Sequence, residues 1–121
     1  MSKYIRLEGI KNNIPQYLLA SDINIQPSRF EGIGLSLMEA CSVGLPIVAS
    51  RVGGIPEVAI ENTNALLFES ENEIELANNI SVLINDLDKR QLFARSSKKI
   101  YCEHFAIQTN VANLIEYYNI V

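Results

Sequence analysis

Short apolar runs alternate with longer amphipathic stretches through about the first seventy residues, and beyond them only helical spacing remains. Tyr4-Ile5-Arg6-Leu7 reads as a short strand ended by Gly9. Asn12 or Asn13 then caps a short helix running to Ala20, with Pro15 in its first turn and Tyr17, Leu18 and Leu19 as its apolar side. Ile23-Asn24-Ile25 predicts a second strand, closed by Pro27. Leu35, Leu37, Met38, Ala40, Cys41 and Val43 predict a helix with almost no wettable face, packed on a sheet and stopped by Gly44 with Pro46 beyond it. Ile47-Val48-Ala49 is a third strand, fully apolar as a parallel strand covered on both faces should be. Val52-Gly53-Gly54 turns the chain, Pro56 opens a short helix containing Glu57 and Val58, and Ala65-Leu66-Leu67-Phe68 is the fourth strand. Strands alternating with helices predict an α/β fold: a parallel sheet of about four strands, flanked by helices through right-handed crossovers.

From Ser70 onward the pattern is helical. Ser70 and Glu73 read as a capping box, and Ile74, Ala77, Ile80, Leu83 and Leu87 form a stripe at helical spacing. A second helix is expected over about residues 88–102, and a third carries Val111, Leu114, Ile115 and Tyr118. These C-terminal helices are expected to cover the sheet and to carry no chemistry. No internal repeat, low-complexity segment or linker interrupts the chain, so residues 1–121 read as a single domain.

Composition narrows the function. Hydrophobic residues make up 48% of the 121 positions, enough for a core and incompatible with disorder. No apolar run reaches the length of a membrane span, and no secretory signal is visible. Cys41 and Cys102 lack metal-type spacing and are expected as reduced core residues. Ten basic against fourteen acidic side chains give a net charge of −4, and only Lys98-Lys99 adjoin, so nucleic acid is not an expected partner. His104 stands alone, as a solvated helix end. Nothing resembles a triad, a Walker loop or a metal cluster.

The chemistry-bearing stretch is Pro27-Ser28-Arg29-Phe30-Glu31-Gly32-Ile33-Gly34-Leu35-Ser36-Leu37-Met38-Glu39-Ala40, a polar glycine-bearing loop running into the apolar helix. Glu39 lies where burial disfavours an ionised group and therefore needs a partner. That partner is either the backbone N–H groups of a neighbouring loop or a ligand, such as a vicinal diol that donates two hydrogen bonds to the carboxylate. Gly32 and Gly34 permit unusual backbone conformations and close approach. The backbone of Gly32, Ile33, Gly34 and Leu35 is a candidate anion cradle at the helix start. Leu37 occupies the place of a third glycine in a dinucleotide fingerprint, which argues against a nicotinamide or flavin site. Glu31 alone would be an ordinary solvated loop charge. Along one helix Glu31 and Glu39 would lie about 12 Å apart, so they serve different parts of a ligand rather than flank one bond as glycosidase carboxylates do. Gly53 and Gly54 are turn residues expected on the same rim as Gly32, and the loop Gly9-Ile10-Lys11 is expected there too. Glu57 suits its first helical turn for local reasons alone.

Glu31, seven residues and Glu39, with Gly-x-Gly after the first glutamate and Ala after the second, resembles the signature of the family 4 glycosyltransferases of GT-B architecture. The resemblance extends back through Leu19-Ala20-Ser21-Asp22-Ile23-Asn24-Ile25-Gln26-Pro27-Ser28. It extends forward through Gly44-Leu45-Pro46-Ile47-Val48-Ala49-Ser50-Arg51-Val52-Gly53-Gly54-Ile55-Pro56-Glu57-Val58. It implies a Rossmann-like sheet that is part of a GT-B C-terminal, donor-nucleotide domain. By resemblance Glu39 takes the ribose hydroxyls of the donor, Glu31 faces the donor sugar as the catalytic carboxylate, and Gly32, Ile33, Gly34 and Leu35 bind the diphosphate or sugar. Gly9, Lys11, Gly53 and Gly54 are further rim candidates, with the first loop near the nucleotide base. The family transfers a sugar from a nucleotide-diphosphate donor, usually with retention and without a bound divalent metal, so no metal or other cofactor is expected. Polysaccharide or glycoconjugate synthesis in the cytoplasm, peripheral to the membrane in the full-length enzyme, is implied.

The resemblance also marks departures. Gln26 stands where an apolar residue is usual, Ile33 where an aromatic is common, and Ala65 where Asn-Gly is usual. The basic pair that stabilises the leaving diphosphate in the family, an arginine and a lysine, has no counterpart in this chain, and neither Lys11 nor Arg29 replaces it by spacing. The chain is therefore expected to be N-terminally truncated, to lack the acceptor domain and to be inactive alone. Two alternatives stand beside this reading. One is a non-catalytic module derived from the same fold that self-associates through an open sheet edge, and the other is a fragment of a GT-B sugar-nucleotide epimerase.

Overall fold

The computed structural model describes residues 3–32, 34–107, 111 and 114–116. Helix α1 spans Ile14–Leu19 and strand β1 Asn24–Gln26, followed by α2 (Leu35–Ser42), β2 (Ile47–Ser50), α3 (Ile55–Val58) and β3 (Ala65–Phe68). Helices α4 (Glu73–Asn85) and α5 (Leu87–Ile100) complete the order, and a π-helical turn, Tyr101–Phe105, continues α5. The strands are parallel in the order β1-β2-β3, with Asn24 opposite Ile47, Gln26 opposite Ala49, and Ser50 opposite Phe68.

Every residue of β2 and β3 is buried, which is why Ile47-Val48-Ala49 and Ala65-Leu66-Leu67-Phe68 read as unbroken apolar runs. On one face Leu37 and Cys41 of α2 and Ile55 and Val58 of α3 pack on Ile47, Ala49, Ala65 and Leu67. On the other, Leu83 of α4 and Phe93 of α5 pack on Val48, Leu66 and Phe68. Burial of one such large apolar side chain contributes ~1.5–3 kcal/mol. Helix α5 is also tied to the α2–β2 turn: the buried Ser97 hydroxyl donates to the Leu45 carbonyl at 2.6 Å, and Lys98 Nζ donates to the Ser42 carbonyl at 2.8 Å. A cation there complements the C-terminal end of α2.

The outer edge of β3 is closed by side chains. The Leu67 N–H donates to the Glu61 carboxylate at 2.7 Å, and Asn79 Nδ2 donates to the Leu67 carbonyl at 3.0 Å. No described strand lies beyond β1, the opposite edge.

Four expectations are corrected. Residues 4–7 form no strand: Tyr4 is 83% and Leu7 80% exposed, and β propensity without a neighbouring strand does not make one. The described sheet therefore has three strands. Asn72, rather than Ser70, caps α4, accepting from the Glu75 N–H at 3.0 Å, because Glu71 adopts a left-handed φ of 68° and delays the helix start. The Glu75 carboxylate accepts in turn from the Glu69 N–H at 2.9 Å. Residues 111 and 114–116 are helical, but Val111, Leu114 and Ile115 are exposed and cover no sheet; Tyr118 lies outside the described residues. Cys41 is buried as expected, whereas Cys102 is exposed on the π-helical turn, and neither forms a disulfide. Burial pushes the Cys41 thiol pKa up, with hydrogen bonding to Ser97 and Asn64 opposing it.

Candidate functional site

The loop leaving the carboxyl end of β1 runs into the N-terminus of α2, the location where open α/β sheets hold ligands. Gly34 is buried at the N-cap with φ 72°, a left-handed conformation that favours glycine. Its carbonyl accepts from the N–H groups of Leu37 at 3.0 Å and Met38 at 3.1 Å. The N–H groups of Leu35 and Ser36 have no acceptor among the described residues, and both residues are exposed. The arrangement leaves donors and the positive end of the helix available to an anion.

Glu31 is half-buried and held by side chains. Its Oε2 accepts from Gln26 Nε2 and from Ser28 Oγ, each at 3.1 Å. Gln26 Nε2 also donates to Ser28 Oγ at 2.9 Å, and Ser36 Oγ, in the first turn of α2, donates to Gln26 Oε1 at 3.1 Å. Below them the buried Ser50 hydroxyl, at the end of β2, donates to the Ser28 carbonyl at 2.5 Å.

The turn after β2 lies against the same loop. Gly53 has φ 52°, and a Cβ there would overlap the Glu31 carbonyl oxygen and lie 2.9 Å from its carbon. The Gly54 N–H donates to the Gly32 carbonyl at 3.0 Å. Gly53 and Gly54 thus share a rim with Gly32.

Other residues fall differently from expectation. Glu39 is exposed, not buried: α2 turns Leu37, Ala40 and Cys41 to the core, which directs position 39 outward with Leu35 and Ser36. Its carboxylate has no hydrogen bond or ion pair among the described residues, so it is not held by a neighbouring loop's N–H groups. Gly32 is not left-handed, and a Cβ there would meet open space, so close approach to the backbone is the property it retains. Ile33 lies outside the described residues. Gly9 and Lys11 belong to an exposed segment without strand pairing. Lys11 pairs at 3.8 Å with Glu8, whose carboxylate accepts from the Tyr17 hydroxyl at 3.2 Å, and no described hydrogen bond or ion pair joins this segment to residues 31–35.

Arg29 pairs at 3.1 Å with Glu71 beside a cavity of about 240 Å³, whose lining includes none of residues 31–35. Both side chains are largely exposed, and such pairs contribute ~0–1 kcal/mol. Among the described residues no three histidine, cysteine or acidic side chains converge on a metal site. No helix among them is long and apolar enough to cross a membrane.

The sequence reading missed Gln26, Ser28, Ser36 and Ser50 as parts of the site. The usable signal was position: Gln26 and Ser50 are polar residues closing the carboxyl ends of two adjacent strands.

Comparison with known proteins bears on this geometry. The family model described as glycosyl transferases group 1 matches residues 4–100. An uncharacterised glycosyltransferase of Methanocaldococcus jannaschii is 32% identical over 98 residues, covering 79% of this chain and 28% of that protein. The sulfoquinovosyl transferase SQD2 of Arabidopsis thaliana is 29% identical over 91 residues, 73% of this chain and 18% of its own length. Among solved structures, HepE of Anabaena in complex with UDP superposes with a TM-score of 0.83 at 28% identity, over 92% of this chain and 31% of that one. The chain therefore spans under a third of the length of each of these relatives.

Proposed function

Because the chain belongs to the group 1 glycosyl transferases, we propose that it is the donor-nucleotide part of an enzyme moving a sugar from a nucleoside diphosphate to an acceptor. The observation that carries this reading is the clustering of Glu31, braced by Gln26 and Ser28, with the unaccepted N–H groups of Leu35 and Ser36 at the start of α2. In this reading those N–H groups meet the diphosphate, whose charge grows as the glycosidic bond to phosphate breaks and is stabilised by preorganised donors. The outward Glu39 carboxylate accepts from the two ribose hydroxyls, with Gly32 letting the ligand approach the backbone. Glu31 faces the sugar, hydrogen-bonds its hydroxyls and responds to positive charge developing at the anomeric carbon.

Transfer proceeds with retention and without a bound divalent metal, in polysaccharide or glycoconjugate synthesis. The acceptor and the cations that complete stabilisation of the leaving group come from outside this chain, which binds nucleotide weakly and transfers nothing alone. The Anabaena relative solved with UDP, and again with UDP-glucose, supports a uridine donor as the first probe.

The test is a titration of UDP, GDP, ADP and CMP into the labelled chain, following backbone amide resonances, with Glu39→Ala alongside. One nucleotide should shift the amides of residues 32–36, and the variant should abolish the response. An unchanged response in Glu39→Ala would sink the assignment of Glu39, and sugar transfer by the purified chain would overturn its inactivity.

A second reading, a non-catalytic module that pairs with another chain, is favoured by one specific observation. β1 has no described neighbour on its outer side, and the buried Asn24 Nδ2 on this strand has no acceptor among the described residues, whereas the β3 edge is covered. A monomer mass independent of concentration in light scattering would eliminate self-association through that edge.

A further inference from the structure

Within the loop that precedes α2, Glu31 is the one carboxylate, and its two oxygens are not equivalent. Oε2 accepts from Gln26 Nε2 and Ser28 Oγ, while Oε1 has no hydrogen bond among the described residues. The amide of Gln26 reaches both sides of the site at once: its nitrogen holds Glu31 and Ser28, and its oxygen accepts from Ser36 in the first turn of α2. Gln26 is itself the last residue of β1, half-buried, with a backbone fixed opposite Ala49. The end of β1 therefore determines where the amide sits, and the amide determines where the carboxylate sits.

We propose that Gln26 is a positioning residue that occupies Glu31 Oε2 and locks the side chain so that Oε1 is presented to the donor sugar, with Ser36 fixing the amide orientation. The proposal rests on the reading that Glu31 faces that sugar. An amide suits the task because it donates to the carboxylate with its nitrogen while its oxygen takes the serine hydroxyl. A methionine at 26 would fill similar volume without either bond, and a glutamate would set one carboxylate against another.

The test uses Gln26→Met, Ser36→Ala and Glu31→Gln in the whole chain, with UDP and UDP-glucose as probes in calorimetry. The free chain is followed separately by methylene carbon relaxation at Glu31 Cγ. The ratio of UDP-glucose to UDP affinity should fall about tenfold in Gln26→Met, the scale of one hydrogen bond to a charged group. It should fall less in Ser36→Ala and at least as far in Glu31→Gln. In the free chain Glu31 Cγ should be ordered in the parent and mobile in Gln26→Met.

If Glu31→Gln lowers the ratio while Gln26→Met does not, the positioning role fails and the role of Glu31 survives. If Glu31→Gln leaves the ratio unchanged, the reading of Glu31 fails and the proposal falls with it. If neither probe binds the chain, relaxation decides: equal order at Glu31 Cγ in the parent and Gln26→Met overturns the proposal, and loosening in the variant supports it.

Discussion

Gly53→Ala should be far more damaging than Gly32→Ala, although the two glycines share a rim and are joined by neighbouring peptides. At Gly53 the backbone is left-handed, and an added Cβ would overlap the Glu31 carbonyl oxygen. A carbonyl is backbone and has no rotamer to escape into. Either the 53–54 turn or the Glu31 peptide must withdraw, and the Gly54-to-Gly32 hydrogen bond at 3.0 Å is the contact that withdrawal breaks. A left-handed alanine costs ~1–2 kcal/mol, and the lost bond ~0.5–1.5 kcal/mol net. With residual overlap the loss should be ~2–4 kcal/mol, large against a typical total of ~5–15 kcal/mol. Gly32 is neither left-handed nor crowded, so Gly32→Ala should stay within ~0.5 kcal/mol of the parent, as an open surface substitution does. Urea unfolding of both variants, read by circular dichroism, gives the stability difference, and the nucleotide titration gives binding. Gly32→Ala should weaken binding with stability intact, since its methyl enters the space left to the ligand. Equal stabilities for the two variants, or a Gly53→Ala loss under ~1 kcal/mol, would refute the close contact between the two loops.

Asn64 should be the most costly polar side chain to remove. It is fully buried, its Oδ1 accepts from the Ile60 N–H at 2.7 Å and its Nδ2 donates to the Val58 carbonyl at 3.1 Å. Asn64→Ala should cost ~2–4 kcal/mol in urea unfolding, because two backbone groups lose their partner; a loss below ~1 kcal/mol would show that water replaces the amide. Burial raises the Cys41 pKa in the folded chain, so its contribution is complete below the unfolded thiol pKa of about 8.5 and is lost as pH rises through the folded value. Between the unfolded and the raised folded pKa the parent should lose stability by up to ~1.4 kcal/mol per pH unit more than Cys41→Ala does, and parallel stability curves would contradict the burial.

Much of the fold was legible because it rests on local signals. The unbroken apolar runs Ile47-Val48-Ala49 and Ala65-Leu66-Leu67-Phe68, the proline opening α3 and the glycine after α2 each mark their element from within a few residues. Errors arose where a non-local partner decides. Residues 4–7 have the composition of a strand, yet pairing makes a strand, and the described sheet offers them none. Glu39 was assigned to the core because its neighbours are apolar, but α2 has an outward face of Leu35, Ser36 and Glu39. The Glu31 network was illegible for the same reason: Ser50 meets Ser28 across twenty-two residues, and Gly53 meets Glu31 through backbone atoms that carry no residue identity.

Stability and ligand contact are separable in this molecule because the core faces lie along the sheet while the polar groups gather at the strand ends. Glu39 and Gly32 are exposed, so their loss should be read in binding alone. Gly53 couples the two, since its turn supports the peptide from which the Glu31 side chain springs. Gln26 couples them differently. It ends β1, a three-residue strand paired on one side only among the described residues, whereas β2 is paired on both sides and β3 has its outer edge closed by Glu61 and Asn79. Local stability follows the number of buried contacts and backbone bonds that must open together, so β1 is the strand most easily displaced. The carboxylate most exposed to such displacement is Glu31, because the amide that holds it is carried by that strand. A neighbour pairing with the β1 edge would stiffen Gln26 and, through it, the orientation of Glu31, without touching either side chain.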